Sequence, residues 1–65
     1  MKIKWTNKWS GDEGFVKCIN TKGKYFENTT DESEAKVFNK KTIKKTIQQL
    51  ENFCDWNNYE AIAAE

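Results

Sequence analysis

Cys18 and Cys54 are the strongest nucleophiles this chain can offer, and no histidine stands anywhere in the sequence to activate them. A thiol attacks as its thiolate, which needs an electropositive, accessible setting or a neighbouring base. Both cysteines fall at apolar positions, so they read as reduced, buried thiols and not as catalytic groups. Two cysteines far apart in sequence, with no imidazole, also fall short of the four N or S ligands of a structural zinc site. Carboxylates cluster at Asp12–Glu13 and at Asp31–Glu32 with Glu34. Glycosidase-type chemistry needs two such groups separated across a cleft with their pKa values pushed apart. Both clusters sit in turn-forming sequence, where solvated acids are expected. Gly11, Gly14 and Gly23 form no phosphate-cradling loop. Arginine, the preferred bidentate reader of guanine and phosphate, is missing. These residues argue against an enzyme, a metalloprotein, a cofactor-dependent protein and a sequence-specific DNA reader.

The elements that must carry these side chains belong to one small domain, since the chain has 65 residues. At this size only about 60% of the unfolded surface is buried on folding. Nine aromatic residues supply much of the apolar area, three of them the tryptophans Trp5, Trp9 and Trp56. Self-association into a homodimer would bury more. The start, Met1 to Ser10, has lysines but no apolar run of the kind a secretion signal carries, and no stretch is long enough to cross a membrane. A cytoplasmic setting is the expectation, in which thiols stay reduced.

The net charge is +1, but all eleven cations are lysines and none follows Lys45. From Thr46 onward the charged residues are the acids Glu51, Asp55, Glu60 and Glu65. Lys40, Lys41, Lys44 and Lys45 fall in what reads as the first two turns of a helix. Positive charge there opposes the helix dipole by about 0.3–1 kcal/mol per site, and Lys41 repels Lys45 one turn on. A low-GC genome accounts for lysine over arginine but not for the clustering. A partner-binding surface would account for it.

The chain divides into an N-terminal sheet and a C-terminal helix. Ile3, Trp5, Asn7 and Trp9 alternate with Lys2, Lys4, Thr6 and Lys8, the period of a strand. Ser10 to Gly14 is a turn, Phe15 to Asn20 a second strand and Lys24 to Thr29 a third. Asn20-Thr21-Lys22-Gly23-Lys24 suits a three-residue hairpin loop with Gly23 in the left-handed position. That register pairs Ile19 with Tyr25 and Cys18 with Phe26, placing Val16, Cys18 and Phe26 on one face and Phe15, Ile19 and Tyr25 on the other. A two-residue turn would instead set Cys18 opposite Glu27. Asp31 with Glu34 suggests a short capped helical turn, after which Ala35 to Phe38 returns to the core. Asn39 is a candidate N-cap. Ile43, Ile47, Leu50 and Cys54 form the apolar stripe of the main helix, with Thr46 and Phe53 beside them. An asparagine of Asn57-Asn58 could end it in a left-handed conformation. Tyr59 to Ala64 reads as a final strand, although its alanines also favour helix. The expected fold is α+β, a small antiparallel sheet of three to four strands packed on one main helix.

The run Lys24-Tyr25-Phe26, Thr30-Asp31, Ala35-Lys36-Val37-Phe38, then Ile43, Ile47 and Leu50 resembles a layout found in short phage and prophage accessory proteins. In these a hairpin leads through a polar turn and an Ala-x-x-Phe segment to one helix. Some are inhibitors of host defence, anti-CRISPR proteins among them. The resemblance covers about half the chain and assigns no functional residues. It implies a small non-enzymatic module that binds a protein or a protein–nucleic acid complex and acts by occupying its surface. The residues proposed for that contact are Lys40, Lys41, Lys44 and Lys45, the open-face set Phe15, Ile19 and Tyr25, and Trp56 beyond the helix. A non-specific nucleic-acid binder, stacking bases on sheet aromatics, is the alternative; ten acids and a near-zero net charge count against it. A homo-oligomeric structural protein is a third reading.

Overall fold

The computed structural model describes residues 1–63 and is a four-stranded antiparallel sheet with one helix packed across it. The strands are β1 (Lys2–Asn7), β2 (Glu13–Asn20), β3 (Tyr25–Thr29) and β4 (Asn57–Ile62), in the spatial order β3-β2-β1-β4. A single 3-10 turn, Glu32–Glu34, and the helix α1, Ile43–Phe53, lie between β3 and β4. The α+β expectation holds, including the final strand; Ala64, placed at its end by the sequence, lies outside the described residues. β4 pairs with β1 from Lys2↔Ile62 to Asn7↔Asn57, so the first and last strands lie side by side, with β4 at the sheet edge.

The core sits between sheet and helix. Ile3, Val16, Ile43 and Leu50 form its buried centre, and Ile19, Phe26, Phe38, Ile47 and Tyr59 pack around it. The predicted helix stripe is therefore the buried stripe, with Cys54 also buried and Ile47 only half-buried. Ala35 is buried as well, and the segment after it joins the sheet where β1 and β2 part. Lys36 donates its main-chain N–H to the Val16 carbonyl at 3.1 Å, and Phe38 and Met1 exchange main-chain hydrogen bonds.

The hairpin register differs from the preferred one, and the difference moves side chains between faces. Asn20 pairs with Tyr25, Ile19 with Phe26 and Cys18 with Glu27, which is the register of the shorter turn. Asn20 still makes its Asx bond, accepting the Gly23 N–H at 2.8 Å. The left-handed residue is Lys24, at φ 55°, and not Gly23. The ladder then shifts between Val16 and Cys18, leaving Lys17 as the extra residue of a β-bulge. A bulge resets the alternation, so Val16 and Ile19 share the core face while Cys18 goes to the open face. Burying Ile19 beside Phe26 is worth more than burying a thiol, which is why this register prevails.

The helix ends also differ. Its N-cap is Thr42, whose side chain makes no capping bond. Asn39 caps the preceding turn instead, its side-chain oxygen accepting the Lys41 N–H at 2.8 Å. Lys40 and Lys41 thus precede the helix, and Lys44 and Lys45 open it. At the other end Cys54 is extended, at φ −140°, and no asparagine among the described residues takes the left-handed conformation. The capped turn after β3 does form: Asp31 accepts from the Ser33 N–H at 2.9 Å, where the sequence pointed to Glu34.

Tyr59 ties β4 to the helix end by donating its hydroxyl to the Cys54 carbonyl at 2.9 Å. Burial is the main cause that pushes its pKa up, to about 12. The native state therefore holds this proton more tightly than the unfolded chain does. The stabilisation is complete below about pH 10 and fades as pH rises towards 12. Parent and Tyr59→Phe should differ in urea stability at neutral pH, and the gap should narrow between pH 10 and 12. A gap that stays constant over that interval would refute the coupling.

Candidate functional site

Two regions at opposite ends of α1 can do chemistry of recognition. The first is the lysine cluster. Lys40, Lys41, Lys44 and Lys45 are all exposed. The ion pairs among the described residues are Lys4–Glu13 at 3.2 Å and Lys17–Glu34 at 3.4 Å, so none of the four has an acidic partner there. The first turn of α1 contains no acid and the last turn no base. Both ends of the helix carry charge the dipole disfavours, since Glu51 lies near the C-terminal end and Asp55 just past it.

The second region is a cleft of about 280 Å³ that opens where the β1–β2 turn meets the α1–β4 turn. Trp5, Phe26 and Trp56 form its aromatic walls, and Asn7, Asn28, Asn57 and Asp12 its polar lining. The two turns are tied together by a hydrogen bond from the Lys8 N–H to the Trp56 carbonyl, 2.9 Å long. Trp5 and Phe26 meet at 6.4 Å between ring centroids, with their planes at 59°. Gly14, opposite Trp5 in the ladder, makes room for the indole. The indole N–H of Trp5 is the buried side-chain polar atom without a partner among the described residues, an arrangement that costs about 1–3 kcal/mol. Asn7 accepts the Trp9 and Ser10 N–H groups at 2.9 Å each, and its amide reaches Asn57 at 3.5 Å.

The structure separates the open-face set. Phe15 remains on the open face, half-buried, and Tyr25 is exposed there. Ile19 is turned into the core by the Lys17 bulge, so the contiguous apolar patch of Phe15, Ile19 and Tyr25 does not exist. The 3-10 turn also reaches this side: Lys17 pairs with Glu34, and Lys2 donates to the Glu32 carbonyl at 2.6 Å. Trp56 is 43% exposed and walls the cleft, while Trp9, expected in β1, sits in the turn beyond it at 81% exposure. The cleft itself was not legible in sequence, because its residues come from β1, β3, β4, the turn before β2 and the helix end.

The two thiols part company. Both are free, Cys54 buried and Cys18 half-exposed, which corrects the expectation that both are buried. Cys18 Sγ lies 3.2 Å from a Glu27 carboxylate oxygen. That hydrogen bond is the main cause that raises the Cys18 pKa, and the carboxylate charge adds to it. An accessible thiol held as the neutral acid should react slowly with Ellman's reagent near pH 8, and Glu27→Gln should speed it. If Glu27→Gln leaves the rate unchanged, the carboxylate does not control the thiol.

Among the described residues no group of three or more His, Cys, Asp or Glu side chains could hold a metal ion, and no helix is long and apolar enough to cross a membrane. No family model matches this chain, and neither does any curated protein or solved structure.

Proposed function

We infer that this chain is a small non-catalytic binding module, acting by occupying the surface of a partner protein or protein–nucleic acid complex in the cytoplasm. This is the mode of the phage-encoded inhibitors of host defence complexes that its hairpin–turn–helix layout resembles. The observation that carries the reading is the lysine cluster at the start of α1, which stands at the wrong end of the dipole without acidic partners. Each such charge costs about 0.3–1 kcal/mol near the helix end. Charge kept at a cost to local stability is the signature of a contact made outside the molecule, here with an acidic surface.

Reversing Lys40, Lys41, Lys44 and Lys45 to Glu tests this directly. Acids suit a helix N-terminus, so thermal stability should be kept or raised. Partners captured by the parent chain from cells that express it should be lost by the variant, through like-charge repulsion. A variant that folds and retains them at parental affinity refutes the reading. Tight, salt-sensitive binding of the parent to bare duplex DNA or single-stranded RNA in a mobility-shift assay would favour nucleic-acid binding instead.

A further inference from the structure

The aromatic cleft differs in charge from the rest of the molecule. The chain has eleven lysines, and none of them lines it. Its one charged group is the Asp12 carboxylate, which has no ion-pair or hydrogen-bond partner for its side chain among the described residues. Asn7 and Asn57 are engaged with the turn and with Tyr59, whereas the Asn28 amide makes no hydrogen bond among the described residues. Next to it a polar groove shares Asn57 and is lined by Glu51 and Asp55, with Lys8 as its one cation. An anion entering the cleft would meet a carboxylate and no countercharge. A wholly apolar group would strand Asp12 and Asn28 without water or partner.

A flat cation satisfies every wall. Aromatic faces attract cations through the ring quadrupole. A guanidinium is planar, weakly hydrated and forked to match a carboxylate, and it stacks on aromatic rings, which an ammonium does less well. The volume of about 280 Å³ is below that of a pocket for a drug-sized molecule and suits one side-chain terminus. We propose that this cleft receives an arginine side chain of the partner protein, with Asp12 as its counter-ion, Asn28 as a further acceptor, and Trp56 and Phe26 as stacking faces. The proposal rests on the binding-module reading and adds to it the chemistry of one anchor. It gives the molecule two poles, lysines for an acidic surface and an aromatic cleft for a basic one.

The test uses the full chain and needs no partner. N-acetyl-arginine amide is titrated at low salt while the indole N–H resonances are followed by NMR, with N-acetyl-citrulline amide as the uncharged isostere and guanosine as a neutral base. Arginine should shift the Trp56 and Trp5 resonances saturably, and citrulline should bind at least about tenfold more weakly, the worth of one charged hydrogen bond. Asp12→Asn should erase the arginine–citrulline difference, and Trp56→Ala should weaken arginine binding. Asp12 is exposed, so Asp12→Asn should melt like the parent; Trp56 is 43% exposed, and a thermal melt establishes that Trp56→Ala is folded before its binding is read. No indole shift up to about 100 mM arginine, a concentration that would reveal even very weak binding, overturns the proposal. So does citrulline matching arginine, or an Asp12→Asn variant that still discriminates. Guanosine binding more tightly than arginine overturns it in favour of a nucleobase site. The lysine reversal reads the opposite end of the helix, so a failure of that reading and a failure of this proposal are told apart.

Discussion

Leu50→Ala is expected to lower the stability of this domain by about 2–5 kcal/mol and to leave it largely unfolded at moderate urea. Leu50 is fully buried, at 0% exposure, at the centre of the contact between α1 and the sheet, where it joins Ile3 and Val16. The removed atoms lose their transfer free energy, and a cavity adds to the loss because strands on one side and helix on the other cannot both close on it. Domains have about 0.05–0.15 kcal/mol of stability per residue, so the loss is comparable to all that a chain this short possesses. Ile47→Ala supplies the internal comparison. The sequence puts both residues on one stripe and assigns them similar weight, but Ile47 is only half-buried and should cost distinctly less. Urea titrations of the two variants check this. Leu50→Ala melting cooperatively near the parent would mean that the helix docks through another face.

Gly14→Val should be nearly as damaging, for the opposite reason. A Cβ at Gly14 would lie 2.9 Å from Cζ2 of Trp5 and 3.0 Å from the Thr29 carbonyl oxygen. The carbonyl belongs to β3, and the indole is held against Phe26. Neither can retreat without moving a strand or a core aromatic. Overpacking of this kind costs about 1–3 kcal/mol, more than the ~1 kcal/mol span of strand propensity that favours valine over glycine. The variant should also lose part of the near-UV circular dichroism of the tryptophans, because the ring that walls the cleft must tilt. Gly14→Ala should show the same effects at reduced size. Parent-like stability together with a parent-like near-UV spectrum would show that the Trp5–Gly14 contact is not close.

The periodic parts of the chain were legible before the structure. The helix stripe, the strand alternation, the capped turn after β3 and the final strand all rest on local patterns, and they recur in the fold. The hairpin register was not legible, because one extra residue in a strand leaves no compositional trace. Lys17 looks like any strand lysine, yet its bulge exchanges Ile19 and Cys18 between the two faces. The open-face patch failed for the same reason. The helix starts one turn later than Asn39 suggests, since Asn39 and Thr42 are both acceptable caps and only docking of Ile43 into the core chooses between them.

The sequence by itself determined that the chain lacks the means for imidazole chemistry, that it forms a small α+β domain, and that its lysines cluster against a helix dipole. These follow from residue identity and from spacings of two to four, which are properties of one segment at a time. Only the tertiary structure decided which thiol is exposed, which tryptophan enters the core, and that Asp12 comes to share one cleft with Trp5, Phe26 and Trp56. Those outcomes depend on pairing across the sheet and on the meeting of two turns more than forty positions apart. Such long-range contacts are selected by the burial that the whole fold achieves, not by any local preference.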